Sequence, residues 1–201
     1  MALIKNKLIN IENISVTIEK KNEKLYEDRK NEKLYEDRKL LYTELAKIIE
    51  QFPKRVPTEI LRSAHYDVPK FQGNYDIVIQ TLNNKIDDSE NKRLKAAIRA
   101  KDKNRIQSIQ TEIDNWKHAI EELKENKDEF ESANAMYEEY KKKNSGKIEI
   151  IFSQAVENGI VELDTFLNNA YGRSGRHFEE DIVRQYKREL HFAMRRDIGT
   201  L

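Results

Sequence analysis

Between Ile106 and Tyr137 the apolar residues recur in steps of three and four: Ile106, Ile109, Ile113, Trp116, Ile120 and Leu123, continued by Phe130 and Tyr137. Ile109, Trp116, Leu123, Phe130 and Tyr137 are spaced by sevens, which places them on one stripe of a slightly underwound helix. Glu112, Asp114, Lys117, Glu121, Glu122, Lys124 and Glu125 fill the opposite face, and no Gly or Pro interrupts the run from Lys101 to Ser145. The pattern predicts one helix of about forty residues, ~60 Å long. So narrow a stripe cannot bury itself, so another helix is expected along it, from this chain or from a partner.

Composition points the same way. Charged residues are 36% of the chain and hydrophobic ones 38%, leaving little for a large globular core. Ala, Glu, Lys, Leu and Arg account for 88 of 201 residues, near the composition of long helices. The net charge of +1 gives no global attraction to nucleic acid or an anionic membrane, so any such binding needs a local patch. The absence of Cys removes disulfides, thiolate catalysis and thiolate metal sites together. No apolar run reaches the ~18 residues of a membrane span, and the amino terminus carries no signal-peptide core. A cytoplasmic protein, not bound to membrane, is expected.

Residues 1–18 admit two readings. Ile4, Leu8, Ile11 and Ile18 fit a helix, whereas Ile14, Val16 and Ile18 alternate with Ser15 and Thr17 as a strand would. The stretch Leu8-Ile9-Asn10-Ile11-Glu12-Asn13-Ile14-Ser15-Val16 resembles the opening strands of ABC-type ATPases. No Gly-rich loop ending in Lys-Ser/Thr follows, so no nucleotide site is expected. Helix is the preferred assignment.

A nine-residue phrase, Asn22 to Lys30, is repeated without change as residues 31–39. Nine residues of helix turn through about 900°, so the second copy faces opposite to the first. Upstream, Ile4, Ile11, Ile18 and Leu25 run in sevens; downstream, Leu41, Leu45, Ile48 and Phe52 form a stripe displaced to the other side. A tandem duplication tolerated on an exposed helix explains this. So does a helix lengthened to present Tyr26 and Tyr35 to different neighbours. Residues 19–52 are expected to form a second long helix, the natural companion of 104–143, ended by Pro53 and Pro57. Thr58 and Asn74 are expected to cap short helices, with Ile77, Val78, Ile79 and Leu82 on the face of the second. Another short helix starts at Asp88-Ser89, and a break is expected near Asp102–Asn104.

Asn144-Ser145-Gly146 is expected to end the long helix and open a small module of three helices at 147–201. The first would stop at Asn158-Gly159; the second carries Leu163, Phe166, Leu167 and Ala170. Residues 163–187 resemble a helix-turn-helix, with Gly172 at the turn and Ser174 capping the next helix. That resemblance implies DNA facing Arg173, Arg176, Arg184 and Lys187. Arg173, Ser174, Arg176 and His177 at a helix amino end also fit an anion.

Lys92, Arg93, Lys95, Arg99, Lys101, Lys103 and Arg105 crowd around a single acid, Asp102. Such a patch fits either a phosphate backbone or a solvated face that pairs with the acidic segment 121–139. His177 and Asp181 alone are too few for a metal, and no nucleophile, base and oxyanion set can be assembled. No catalytic, cofactor or metal residues are therefore expected.

The architecture expected is all-α. A segment at 1–18 is followed by an elongated helical hairpin or coiled coil at 19–143, with short helices at 58–101, and then the carboxy-terminal module. The function expected is a non-enzymatic coiled-coil subunit or adaptor that self-associates or binds a protein partner as a homo- or hetero-oligomer. Its partner-binding seam would be Ile106, Ile109, Ile113, Trp116, Ile120, Leu123, Phe130 and Tyr137. The alternative is a nucleic-acid-binding accessory protein using residues 92–105 with Arg173 and Arg176.

Overall fold

The computed structural model describes residues 2–66, 73–172 and 182–199, with side chains from Lys20 onward. Among these residues the protein is all-α. Helices α1 (Ala2–Gln51), α2 (Pro57–Ser63) and α3 (Tyr75–Asp88) lead into a π-helical segment, Ser89–Leu94. Then come α4 (Lys95–Arg99), α5 (Lys103–Ile151), α6 (Gln154–Tyr171) and α7 (Ile182–Asp197). Two compact units divide the chain, residues 1–43 and 44–201.

The first unit is helix α1 up to Thr43. The amino-terminal segment is thus helical, and the strand alternative for residues 8–16 does not stand. From Lys20 to Gly-free, charge-dense Lys33 every residue is exposed, and Leu25 and Tyr26 are 51% and 73% exposed. In the second copy of the repeat Leu34 is half-buried and Tyr35 is 39% exposed. The difference between identical phrases follows from the half-turn between them.

The second unit is organised along α5, whose 49 residues extend about 73 Å. Asp102 opens it, its side chain accepting from the Arg105 amide at 3.1 Å, after Lys101 reverses the chain at φ 55°. The break expected near Asp102–Asn104 is therefore present. The helix α3, the π segment and α4 run antiparallel to α5. Asp76 pairs with Lys127 (3.0 Å), Glu90 with Lys117 (2.9 Å) and Arg93 with Glu112 (2.7 Å), so partner numbers on one side fall as those on the other rise. Val78, Leu82, Ile86 and Ala97 are buried on this side. Ile77, expected on the same face, is 59% exposed, and Tyr75 takes its place. The companion of Ile109–Asn126 is thus the α3–α4 limb, where 19–52 was expected. A helix linked to α5 by two residues closes against it with the shortest loop, and so with little loss of chain entropy.

Further along α5 the neighbours change. Residues 44–52 supply Leu45, Ile49 and Phe52, all buried, with Phe52 edge-on to Tyr137 (5.9 Å between ring centres) and tilted against Phe130 (6.1 Å). From α6, Tyr171 stacks on Phe130 at 4.1 Å. Pro57 begins α2, and the Glu59 carboxylate accepts from the Val56 amide at 3.1 Å. Thr58, expected as the cap, is instead fully buried. Asn74 does cap α3, accepting from the Ile77 amide.

Two expected boundaries are absent. α5 continues through Asn144-Ser145-Gly146 to Ile151, because the Asn144 amide turns inward and donates to the Tyr140 carbonyl (3.1 Å). α6 likewise passes through Asn158-Gly159. A Cβ at Gly159 would lie 2.9 Å from Leu190 Cδ1, so this glycine marks the close approach of α6 and α7 and ends no helix.

Leu123 is fully buried at the middle of α5. Leu123→Asp places an unpaired carboxylate there, and loss of cooperative unfolding in urea, followed by circular dichroism, is the expected result.

Candidate functional site

The apolar stripe of α5 is the first candidate. Ile109, Ile113, Trp116, Ile120, Leu123 and Tyr137 are at most 6% exposed, while Ile106 and Phe130 are half-buried. The chain's own α2, α3, α4 and the π segment cover the first part, so these residues form an internal core where a partner-binding seam was expected. Trp116 Nε1 donates to the Ala64 carbonyl (3.1 Å), leaving no polar edge for a partner to satisfy.

Beside Leu123 lies a buried polar knot. Asn126 accepts from the Tyr75 hydroxyl at 2.8 Å and donates to the Arg55 carbonyl at 2.7 Å. The Tyr171 hydroxyl donates to that same carbonyl (3.2 Å). Arg55 Nη1 reaches both oxygens of Glu122, at 2.9 and 3.1 Å, and Nη2 donates to the Glu59 carbonyl at 3.3 Å. Burial, with Tyr171 as neighbour, raises the Tyr75 pKa; burial, with Glu59 nearby, raises that of Tyr171. Burial also raises Tyr137, close to Asp164. All three hydroxyls therefore stay protonated donors across the neutral range. The adjoining cleft of about 390 Å³ is lined by Glu50, Glu122, Glu125 and Glu129 against Lys54 and Arg55.

The basic stretch is split by its surroundings. Lys92 pairs with Asp88, Arg93 with Glu112, and Lys95 donates to Asn91 (2.9 Å). Arg99, Lys101, Lys103 and Arg105 are exposed where α4 turns into α5, with no exposed ring among them for base stacking. Arg173 and Arg176, with Ser174, His177 and Asp181, lie outside the described residues.

Lys187, to which the helix-turn-helix resemblance assigned DNA, is buried. Its Nζ donates to the carbonyls of Phe52 (2.9 Å) and Glu50 (3.4 Å), closing the carboxy end of α1. Burial lowers its pKa, with Glu50 opposing. Around it Glu50, Arg184, Arg188, His191, Phe192 and Arg195 line a concavity of about 300 Å³. Burial lowers the His191 pKa, and its Nε2 sits 3.5 Å from Glu50. The α6–α7 pair is antiparallel, from Gly159 against Leu190 to Phe166 stacked on Tyr186 at 4.7 Å. Residues 172–181 separate the two helices, a longer link than the 3–4 residues of a helix-turn-helix corner.

Reasoning from the sequence missed the Asn126 knot and the Arg188, Phe192 and Arg195 row. The second was visible as steps of four and three. Among the described residues no cluster of three or more His, Asp or Glu could hold a metal ion, and no helix is long and apolar enough to cross a membrane.

Lys187→Met leaves two carbonyls without their donor and is expected to cost about 1–3 kcal/mol, measured as a shift in urea midpoint at constant slope. Because folding raises the pKa of Tyr75, Tyr137 and Tyr171 above the ordinary 10.0, their contribution is complete below pH ~10 and is lost as the pH climbs beyond it. In an alkaline titration of tyrosinate absorbance these three of the nine tyrosines should ionise only together with unfolding. No protein-family profile, curated protein or solved structure matches this chain.

Proposed function

We propose that this protein is a non-enzymatic interaction and assembly factor, in which the exposed helical arm of the first unit pairs with a second copy or with a partner's helix. The supporting observation is the arm itself. Along residues 20–33 every side chain is exposed, Leu25 and Tyr26 included, and Leu40 is 69% exposed. A helix with polar residues all round gains nothing from packing, and long polar helices of this kind are marginal unless something lies along them. Residues 44–201 carry their own core and have no need of the arm for burial of the α5 stripe. The arm is thereby free for assembly, and pairing there would proceed by burying the apolar side chains of a helix rather than by chemistry on a substrate. Ile4, Ile11, Ile18 and Leu25, spaced by sevens in the sequence, supply the repeat that such pairing uses.

Sedimentation equilibrium tests this. The intact chain is expected to exceed its monomer mass of 23.8 kDa, or to co-purify from its native cell with a stoichiometric partner. Leu25→Asp with Tyr26→Asp should return it to a lone monomer whose main thermal transition is unchanged. A lone monomer at all concentrations before any substitution, with no co-purified protein, rules the proposal out.

A further inference from the structure

We propose that the outer face of α7 is a binding surface for single-stranded nucleic acid, with Phe192 as the stacking platform and Arg184, Arg188 and Arg195 as the phosphate contacts. This inference is independent of what the arm of α1 does.

The helix divides its residues cleanly. Val183, Lys187, Leu190 and Met194 are buried, whereas Arg184, Arg188, Phe192 and Arg195 are exposed and follow one another in steps of four, four and three. Those steps set them in a row about 16 Å long, on one side of the helix. Within α7 the cations Arg184, Lys187, Arg188, Arg195 and Arg196 face only Glu189 and Asp197, in a chain whose overall charge is almost balanced. Basic character is therefore concentrated locally, as contact with a phosphate backbone requires.

Phe192 distinguishes this patch from the exposed cations at the α4–α5 turn. Its ring is 54% exposed, and with Arg184, Arg188 and Arg195 it lines the concavity of about 300 Å³. A large ring kept in water between guanidinium groups suits an unpaired base, which presents a π face of any identity. A duplex hides those faces. A membrane surface is the weaker match: an interfacial helix needs an apolar face to insert, and Val183, Leu190 and Met194 are already spent on the core. Glu50 is the one carboxylate lining the concavity, and it lies near Lys187 Nζ (4.0 Å) and His191 Nε2 (3.5 Å). The guanidinium groups of Arg184, Arg188 and Arg195 therefore set the sign of the surface.

The test is fluorescence anisotropy of a labelled oligodeoxythymidine with the intact chain, titrated over salt. Binding is expected to weaken steeply as salt rises. Phe192→Ala should lower affinity about ten-fold without changing the salt slope, and Phe192→Tyr should restore it. Arg188→Gln with Arg195→Gln should reduce the slope of log K against log salt by about 1.4, two phosphate contacts fewer on a single strand. Replacing Arg99, Lys101, Lys103 and Arg105 by Gln should leave binding intact. All of these positions are exposed, and an unchanged melting temperature verifies each variant. No binding at low salt overturns the proposal, as does affinity indifferent to Phe192 and the arginines. So does loss confined to the α4–α5 turn variant, or tighter binding to phosphatidylserine vesicles, an acidic peptide or the matching duplex than to the single strand.

Discussion

One buried amide holds the larger unit together. Asn126 sits in the middle of α5, 5% exposed, and through it α3, the segment after α1 and α5 share hydrogen bonds; Tyr171 brings in α6 at the same carbonyl. Apolar stripes are forgiving: a helix can slide by a turn along another and still bury Leu and Ile. A polar group cannot, because displacement by one residue would strand the Asn126 amide and the Arg55 carbonyl in a dry interior. The knot fixes register, and the apolar residues on either side, Leu123 and Phe130, supply the driving force. That division of labour explains why so charged a chain has one arrangement for four short and long helices.

The heptad of α5 could be read from residues alone, and its helix is where the spacing put it. Its neighbours could not. A second row, Ala119, Asn126, Ala133 and Tyr140, is buried beside the first and shares its seven-residue spacing. Small and polar side chains hide such a row from any reading based on large apolar residues. They are small because other helices pass close by, a fact of tertiary packing. Sequence spacing also names the stripe without naming its cover. The pairing of α5 with α3 and α4 is decided by a two-residue link and by ion pairs such as Arg93 with Glu112, each unremarkable in a chain with so many charges.

Glycine and asparagine misled for a related reason. Both Asn144-Ser145-Gly146 and Asn158-Gly159 carry the residue types that end helices, yet α5 and α6 run through them. At Gly159 the missing side chain makes room for Leu190, and at Asn144 the amide finds a carbonyl one turn back. Propensity was overruled by packing in each instance. The candidate sites were legible in part. Cations on the carboxy-terminal helix were anticipated at Arg184 and Lys187, and the structure keeps the first outside and draws the second into the core. The exposed ring of Phe192 needed coordinates, since an aromatic at helical spacing reads by default as core.

The duplicated phrase in α1 also constrains how such an arm can change. Each copy adds about 13 Å of helix and two and a half turns. Loss or gain of a single unit would therefore rotate everything before it by half a revolution, while a change of two units would restore the original azimuth and alter reach alone. Copy number acts as a two-position selector: odd and even counts aim the distal stripe in opposite directions, without any substitution in the stripe itself.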